Sequence, residues 1–211
     1  VTDEIIPRKP VVSRHVRLGI DDDEEAVLIG RGTHMTTADG QEAGSIDHLL
    51  VTLGAMTAGV PVAPVSVAYS LQSRDHARIR AITELIDPGA VFAEDAERFG
   101  SALDALSQVP AIISTGSRAG ATRLNELTAS TPGQLIASAF AALRADAIAK
   151  ILFTSGSTGT PKGVLNTHRM LAANQQMMRQ AWPFLAAERP VIVDWLPWSH
   201  TFGGNHNMGM V

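Results

Sequence analysis

Short apolar runs alternate with amphipathic stretches along most of this chain, and that alternation argues for α/β layering. Ala26 to Ile29 has the composition of a short strand. Ser45 to Ala58 places Ile46, Leu49, Leu50 and Leu53 on one helical face, and Gly59 stands where a helix stop is expected. Val60 to Val65 reads as the next strand. Ser73 can cap a helix carrying Ile79, Ile82, Leu85 and Ile86, which Pro88-Gly89 ends. Ala90 to Ala93 is a strand candidate, Asp95 to Leu106 a helix, and Ala111 to Ser114 a strand. The polar, glycine-containing stretch Ser114 to Ser130 reads as a loop. Helices are expected over Gln134 to Leu143 and, with Met170, Asn174, Met177 and Ala181 in register, over about Arg169 to Gln180. Val191 to Leu196 reads as a final strand. No internal repeat is present.

Between the last two helices lies the segment Phe153 to Val164, FTSGSTGTPKGV. Ile148, Ile151, Leu152 and Phe153 read as a strand feeding a tight turn, and Val164 to Thr167 as another strand leaving it. Thr154, Ser155, Ser157 and Thr158 alternate with Gly156 and Gly159, and Pro161, Lys162 and Gly163 close the turn. Glycines let backbone approach a ligand closely, and successive N–H groups in such a turn can form an anion-binding concavity. Hydroxyls add donors and Lys162 a compact positive charge. Chemically this is a cradle for polyphosphate. The common P-loop requires Gly-Lys followed by Ser or Thr, whereas here Pro161 precedes Lys162 and Gly163 follows it. A plain polar hairpin loop is the competing reading.

The string resembles the phosphate-binding signature of the acyl-adenylate-forming enzymes, which include acyl-CoA synthetases, luciferases and nonribosomal peptide adenylation domains. Downstream, Leu196-Pro197-Trp198-Ser199-His200-Thr201-Phe202-Gly203 resembles that family's Leu-Pro-x-x-His-x-x-Gly motif. Ser45-Ile46-Asp47-His48 and Gly54 to Gly59 look like its first nucleotide-domain helix, and Val62 to Val65 like the strand after it. Two further strings, Ala63-Pro64-Val65-Ser66 with Ala68-Tyr69-Ser70-Leu71, and Thr201 to Asn207, are most similar to feruloyl-CoA synthetases and related aryl-CoA ligases.

The resemblance implies a layered α/β fold, the N-terminal part of an adenylate-forming large domain, with residues 44–211 family-like and 1–43 atypical. Arg31 to Ala43 fit nothing in the family pattern. The chain closes at Val211 without the family's Tyr-Gly-x-Thr-Glu motif, ribose-binding aspartate, hinge or mobile C-terminal domain with its catalytic lysine. Lys162 does not take that lysine's role. These 211 residues are therefore expected to be inactive alone.

For the complete enzyme the resemblance implies two half-reactions: a carboxylate attacks the α-phosphorus of ATP to give acyl-AMP and pyrophosphate, and the thiol of coenzyme A then displaces AMP. It assigns Thr154, Ser155, Ser157, Thr158 and Lys162 to the β- and γ-phosphates, with Gly156, Gly159 and Gly163 supplying backbone freedom and magnesium bridging the phosphates. It places His200, at a strand end, beside the reacting carboxylate. The competing reading of His200 is a cap on the following turn. Trp198 and Phe202 suit an aromatic acid pocket or the core equally. No metal-ligating set is assigned, because His200 and His206 have no acids or thiols beside them. His15, His34, His48, His76 and His168 carry no readable pattern.

Composition narrows the partners. A net charge of −4 without a basic cluster gives no reason to expect nucleic acid or an acidic membrane. The acidic run Asp21 to Glu25 is expected to be a solvated loop, no apolar stretch is long enough to cross a bilayer, and Val1 to Pro10 does not look like a signal peptide. The absence of cysteine removes disulfides, thiolate metal sites and a cysteine nucleophile. A cytoplasmic location fits. The sequence is thus read as part of an ATP-dependent aryl acid–CoA ligase using ATP, Mg2+ and coenzyme A. The alternatives are an adenylation domain that loads a carrier protein and a noncatalytic nucleotide-binding or interaction module.

Overall fold

The computed structural model describes residues 28–29 (backbone only), 46–131, 133–154, 161–188, 191–192, 194 and 196–210. A four-stranded parallel sheet has the order β1-β2-β3-β4: β1 Leu28–Ile29, β2 Ala90–Asp95, β3 Ala111–Thr115 and β4 Thr122–Arg123. The register sets Leu28 against Ala90, Val91 against Ala111 and Ile112 against Thr122. Parallel strands need crossovers; helices lie in the first two, and residues 116–121 make the short connection from β3 to β4 without one. The helices α1 (Ile46–Thr57), α2 (Val67–Leu71) and α3 (Ala77–Ile86) lie between β1 and β2, and α4 (Gly100–Ala105) lies between β2 and β3.

Both faces of this sheet are covered, as the pleat demands of a parallel sheet. Val91, Ala93 and Ile113 point to one side, where they pack with Ile79, Ile82, Ile86, Phe99, Leu103 and Leu106. Ala90, Phe92 and Ile112 point to the other and pack with Val51, Ala55 and Leu124. A small apolar cavity lies on the first side, between Val65, Ile79, Phe99 and Leu106, inside the core.

Several expectations need correction. Val60 to Val65 is buried but makes only one bridge, Val62 to Lys150, because Pro61 and Pro64 have no N–H to offer a ladder. The α1 face expected to be apolar is not the buried one. His48, Val51, Thr52 and Ala55 face inward, while Ile46 is 76% exposed and Leu50 and Leu53 are about half exposed. The expected helix over Asp95 to Leu106 begins only at Gly100, because the Asp95 carboxylate accepts the N–H groups of Glu97 and Arg98 and bends the chain first. Ser73 does not cap a helix directly. Its hydroxyl accepts the His76 N–H at 3.0 Å, one residue before α3 starts. Ser114 to Ser130 is more than a loop: it contains β4 and a short helix α5 (Leu124–Ala129), tied back by Arg123 Nη1 donating to the Gly116 carbonyl at 2.8 Å.

After helix α6 (Gln134–Ala141), β5 (Ile148–Thr154) and β6 (Lys162–Thr167) form an antiparallel hairpin. Backbone bonds from Val62 to the Ala149 carbonyl and from Ile151 to the Val62 carbonyl join it to the rest, and Ile151 enters the first core cluster. Helix α7 (His168–Ala181) follows at once, its N-terminus capped by Thr167 Oγ1 accepting the Met170 N–H at 3.2 Å. Its Met170 and Met177 are exposed. A four-residue helix, α8 (Phe184–Ala187), ends this region. The strand expected over Val191 to Leu196 is not formed at the described positions, and Val191 is 97% exposed. The chain then closes with a π-helical turn, Phe202–Asn207, and a single 3-10 turn, Met208–Met210.

Candidate functional site

Of the residues expected to bind phosphate, Thr154 and Lys162 are described, and Ser155, Gly156, Ser157, Thr158 and Gly159 lie outside the described residues. Thr154 ends β5 and Lys162 opens β6, and the two are directly paired across the hairpin. Both side chains are exposed, whereas the flanking Pro161 and Gly163 are buried. The hairpin therefore presents a hydroxyl and an ammonium side by side at the end where the connecting loop joins its strands. Their chemistry suits a polyphosphate, with donors and positive charge on one rim.

His200 is exposed in the turn before the π-helical segment, not at a strand end. Its N–H donates to the Pro197 carbonyl at 3.0 Å, and its own carbonyl accepts the Gly204 N–H at 2.8 Å. The ring Nδ1 accepts the Phe202 N–H at a long 3.5 Å, a weak local cap. Among the described residues nothing bonds Nε2, so a capping contact at one ring nitrogen leaves the other able to meet a ligand.

Asp194 shapes the loop that carries this histidine. Its Oδ1 accepts the Leu196 N–H at 3.0 Å and an Asn207 amide N–H at 2.7 Å, and its Oδ2 accepts the Trp198 indole N–H at 3.4 Å. Trp198 is half-buried against His48 of α1, with ring centroids 5.5 Å apart. Phe202, by contrast, is 52% exposed and stacks on His206 at 4.8 Å, with Trp182 edge-on to the same imidazole at 6.2 Å. The two aromatic residues of the second motif thus part company: Trp198 supports the turn, and Phe202 belongs to an open aromatic cluster.

Three side chains fasten the turn to the hairpin and to α7. Lys150 Nζ of β5 donates to the Gly204 carbonyl, Asn205 Nδ2 donates to Asn166 Oδ1 of β6 at 2.9 Å, and Gln175 Nε2 of α7 donates to the Asn205 carbonyl at 3.0 Å. The segment following His200 is therefore held against β5 and β6, the strands that flank residues 155–161. Close packing requires Gly203 and Gly204 here. A Cβ on Gly203 would stand 2.7 Å from the Pro197 carbonyl oxygen, and one on Gly204 would overlap that of Trp198. Among the described residues no group of three or more His, Asp or Glu side chains could hold a metal ion.

The model of the family described as AMP-binding enzyme matches residues 43–211. The chain belongs to that family. Among its relatives, the long-chain-fatty-acid–AMP ligase FadD23 of Mycobacterium tuberculosis is 28% identical over 196 residues, 91% of this chain and 29% of the relative. The medium-chain-fatty-acid–[acyl-carrier-protein] ligase TtuA of Teredinibacter turnerae is 45% identical over 58 residues, 28% of this chain and 9% of the relative. The crystal structure of ATP-bound MatB from Rhodopseudomonas palustris superposes with a TM-score of 0.63 at 24% identity, covering 92% of this chain and 34% of that one. That likeness shows the α/β fold with its parallel sheet. The chain spans about a third of the length of MatB.

Lys150, Asn166, Asp194 and Asn205 were not singled out by sequence reasoning. Lysine inside an otherwise apolar strand, AKILF, was the one signal in the sequence that could have pointed to the first of them.

Proposed function

We propose that this member of the family forms the phosphate-binding and acid-positioning part of an ATP-dependent acid–CoA ligase. Its acid is an aryl carboxylate such as ferulate or coumarate, and its intermediate is acyl-AMP. The observation that carries the reading is the docking of the His200 turn on the hairpin that ends in Thr154 and Lys162. Residues 44–211 make up the adenylating portion, and 1–43 stand outside the family pattern.

Thr154, Ser155, Ser157, Thr158 and Lys162 hold the β- and γ-phosphates, with Gly156 and Gly159 in the loop between them. As the carboxylate oxygen attacks the α-phosphorus, the bond to the bridging oxygen breaks and negative charge grows on departing pyrophosphate. A fixed ammonium at Lys162 stabilises that charge more than it stabilises the ground state. Magnesium, if bound, would supply charge neutralisation at the phosphate oxygens beside Thr154 and Lys162. His200 directs Nε2 to the acid carboxylate and orients it for attack. Phe202 and Trp182 are open to receive an aromatic acid, and this supports the aryl assignment over an aliphatic one. In the second half-reaction the coenzyme A thiol attacks the acyl carbon, and AMP leaves.

A carrier-protein acceptor is the second reading, favoured by the TtuA match, whose name specifies an acyl-carrier-protein ligase. The test is to incubate the full-length protein with ATP, magnesium and ferulate, coumarate, benzoate or fatty acids. Pyrophosphate exchange and thioester formation are followed with coenzyme A or a carrier protein as acceptor. Aryl-dependent exchange and an aryl-CoA product are expected. Exchange with fatty acids alone would overturn the aryl assignment, and transfer to the carrier protein alone would overturn the acceptor.

A further inference from the structure

Lys150 sits on β5 within the run AKILF, whose other residues are all apolar. It is 2% exposed, between the buried Ala149 and Ile151. Lysine is seldom buried without an anionic partner, yet neither ion pair among the described residues involves it, both being arginine–aspartate pairs. Its ammonium donates to the Gly204 carbonyl at 2.5 Å and lies 4.0 Å from Met208 Sδ. Burial depresses its pKa to about 8. A methionine or leucine would fill this position without that desolvation.

The cross-strand register shows what the lysine reaches. Lys150 on β5 pairs directly with Asn166 on β6. Lys150 holds Gly204, and Asn166 holds Asn205, the very next residue, by accepting from its amide at 2.9 Å. Asn166 is itself steadied by donating to the Val164 carbonyl at 2.9 Å. One rung of the hairpin therefore grips two consecutive residues of the π-helical turn. Gly204 is also the residue whose N–H closes onto the His200 carbonyl. Gly204 thus bonds directly to His200, and Asn205 Nδ2 donates to Thr201 Oγ1, the next residue, at 3.2 Å. At its far end the same rung is four residues from Thr154 and four from Lys162.

We propose that Lys150 is a positioning residue which, together with Asn166, clamps the Gly204–Asn205 step and thereby sets His200 relative to the phosphate loop. Lys150 touches neither substrate nor reacting atoms. It acts through the turn. Its link to catalysis rests on the ligase reading above, but the clamp itself does not.

The test uses the full-length protein with Lys150→Met, which retains an unbranched apolar stem and removes the donors, and Asn166→Leu, which removes the other grip. Hydrogen–deuterium exchange is read first. In Lys150→Met, amides of residues 202–207 should exchange about 10-fold faster or more, while those of α3 and β2 keep wild-type rates. Acid-dependent pyrophosphate exchange is read second. Its kcat should fall about 10-fold or more, with KM for ATP within about 2-fold of wild type, the pattern of a misplaced group rather than a lost binding contact. Asn166→Leu should move both readouts the same way, and it decides the matter if Lys150→Met does not fold. Unchanged exchange at 202–207 in a folded variant overturns the clamp. A loosened turn with unchanged kcat overturns its catalytic consequence. If the wild-type protein shows no exchange with any carboxylic acid, the ligase reading fails instead, and the amide protection alone judges the clamp.

Discussion

At the residue scale, Lys162 and His200 carry the most directly testable claims. Lys162 was legible from its place in a glycine- and hydroxyl-rich string, and its exposed pairing with Thr154 gives that place a geometry. On the proposed role, replacing it with alanine removes one charged donor where negative charge develops on pyrophosphate. Lys162→Ala should therefore slow adenylation by roughly 10–1000-fold. The rate of ATP–pyrophosphate exchange measures this, and an unchanged rate would exclude the role. His200→Ala should impair acyl-AMP formation more than ATP binding. Single-turnover adenylation set beside nucleotide affinity separates the two, and loss of affinity with intact chemistry would contradict the assignment. The histidine was readable from its motif, but its local bond to Phe202 was readable only as an alternative, because a ring with two nitrogens can serve both a turn and a ligand.

At the element scale, the sequence pattern located most helices and the central strands, and it failed where side-chain chemistry or missing donors decide. Pro61 and Pro64 turned an apolar, strand-like run into an extended segment with one bridge, and Asp95 consumed the first turn of a helix. The two-residue strand β4 is too short to show any periodicity. The π-helical turn could not be expected from period 3.6, and its glycines mark it only in retrospect. Gly204→Ala would push a methyl group into the Trp198 carbonyl. A backbone neighbour cannot rotate away, so the variant should lose about 1–3 kcal/mol of stability, with adenylation reduced as well. Chemical denaturation measures the first effect; a midpoint equal to wild type would show that the turn tolerates a Cβ. Removing the α7 cap with Thr167→Ala should cost about 1 kcal/mol without altering ATP affinity.

At the scale of the whole molecule, two units meet: a parallel sheet covered on both faces, and a hairpin that joins it through Val62. No helix among the described residues is long and apolar enough to cross a membrane. The seam between hairpin and terminal turn contains the buried Lys150, whose burial shifts its pKa down from 10.5 to about 8. The sign of the linkage follows. Below about pH 8 the lysine is protonated in both folded and unfolded chains, and the folded state bears the full desolvation penalty. Between about 8 and 10.5 the unfolded chain holds the proton that the folded chain has released, so this group makes stability rise with pH. The change amounts to roughly 3 kcal/mol across the window. Other groups titrate there too, so the measurement is a difference: denaturation of wild type and Lys150→Met in parallel from pH 7 to 11. The wild-type curve should gain on the variant as pH rises. Parallel curves would mean that the folded chain keeps the proton on Lys150, held by the Gly204 carbonyl strongly enough to offset its burial.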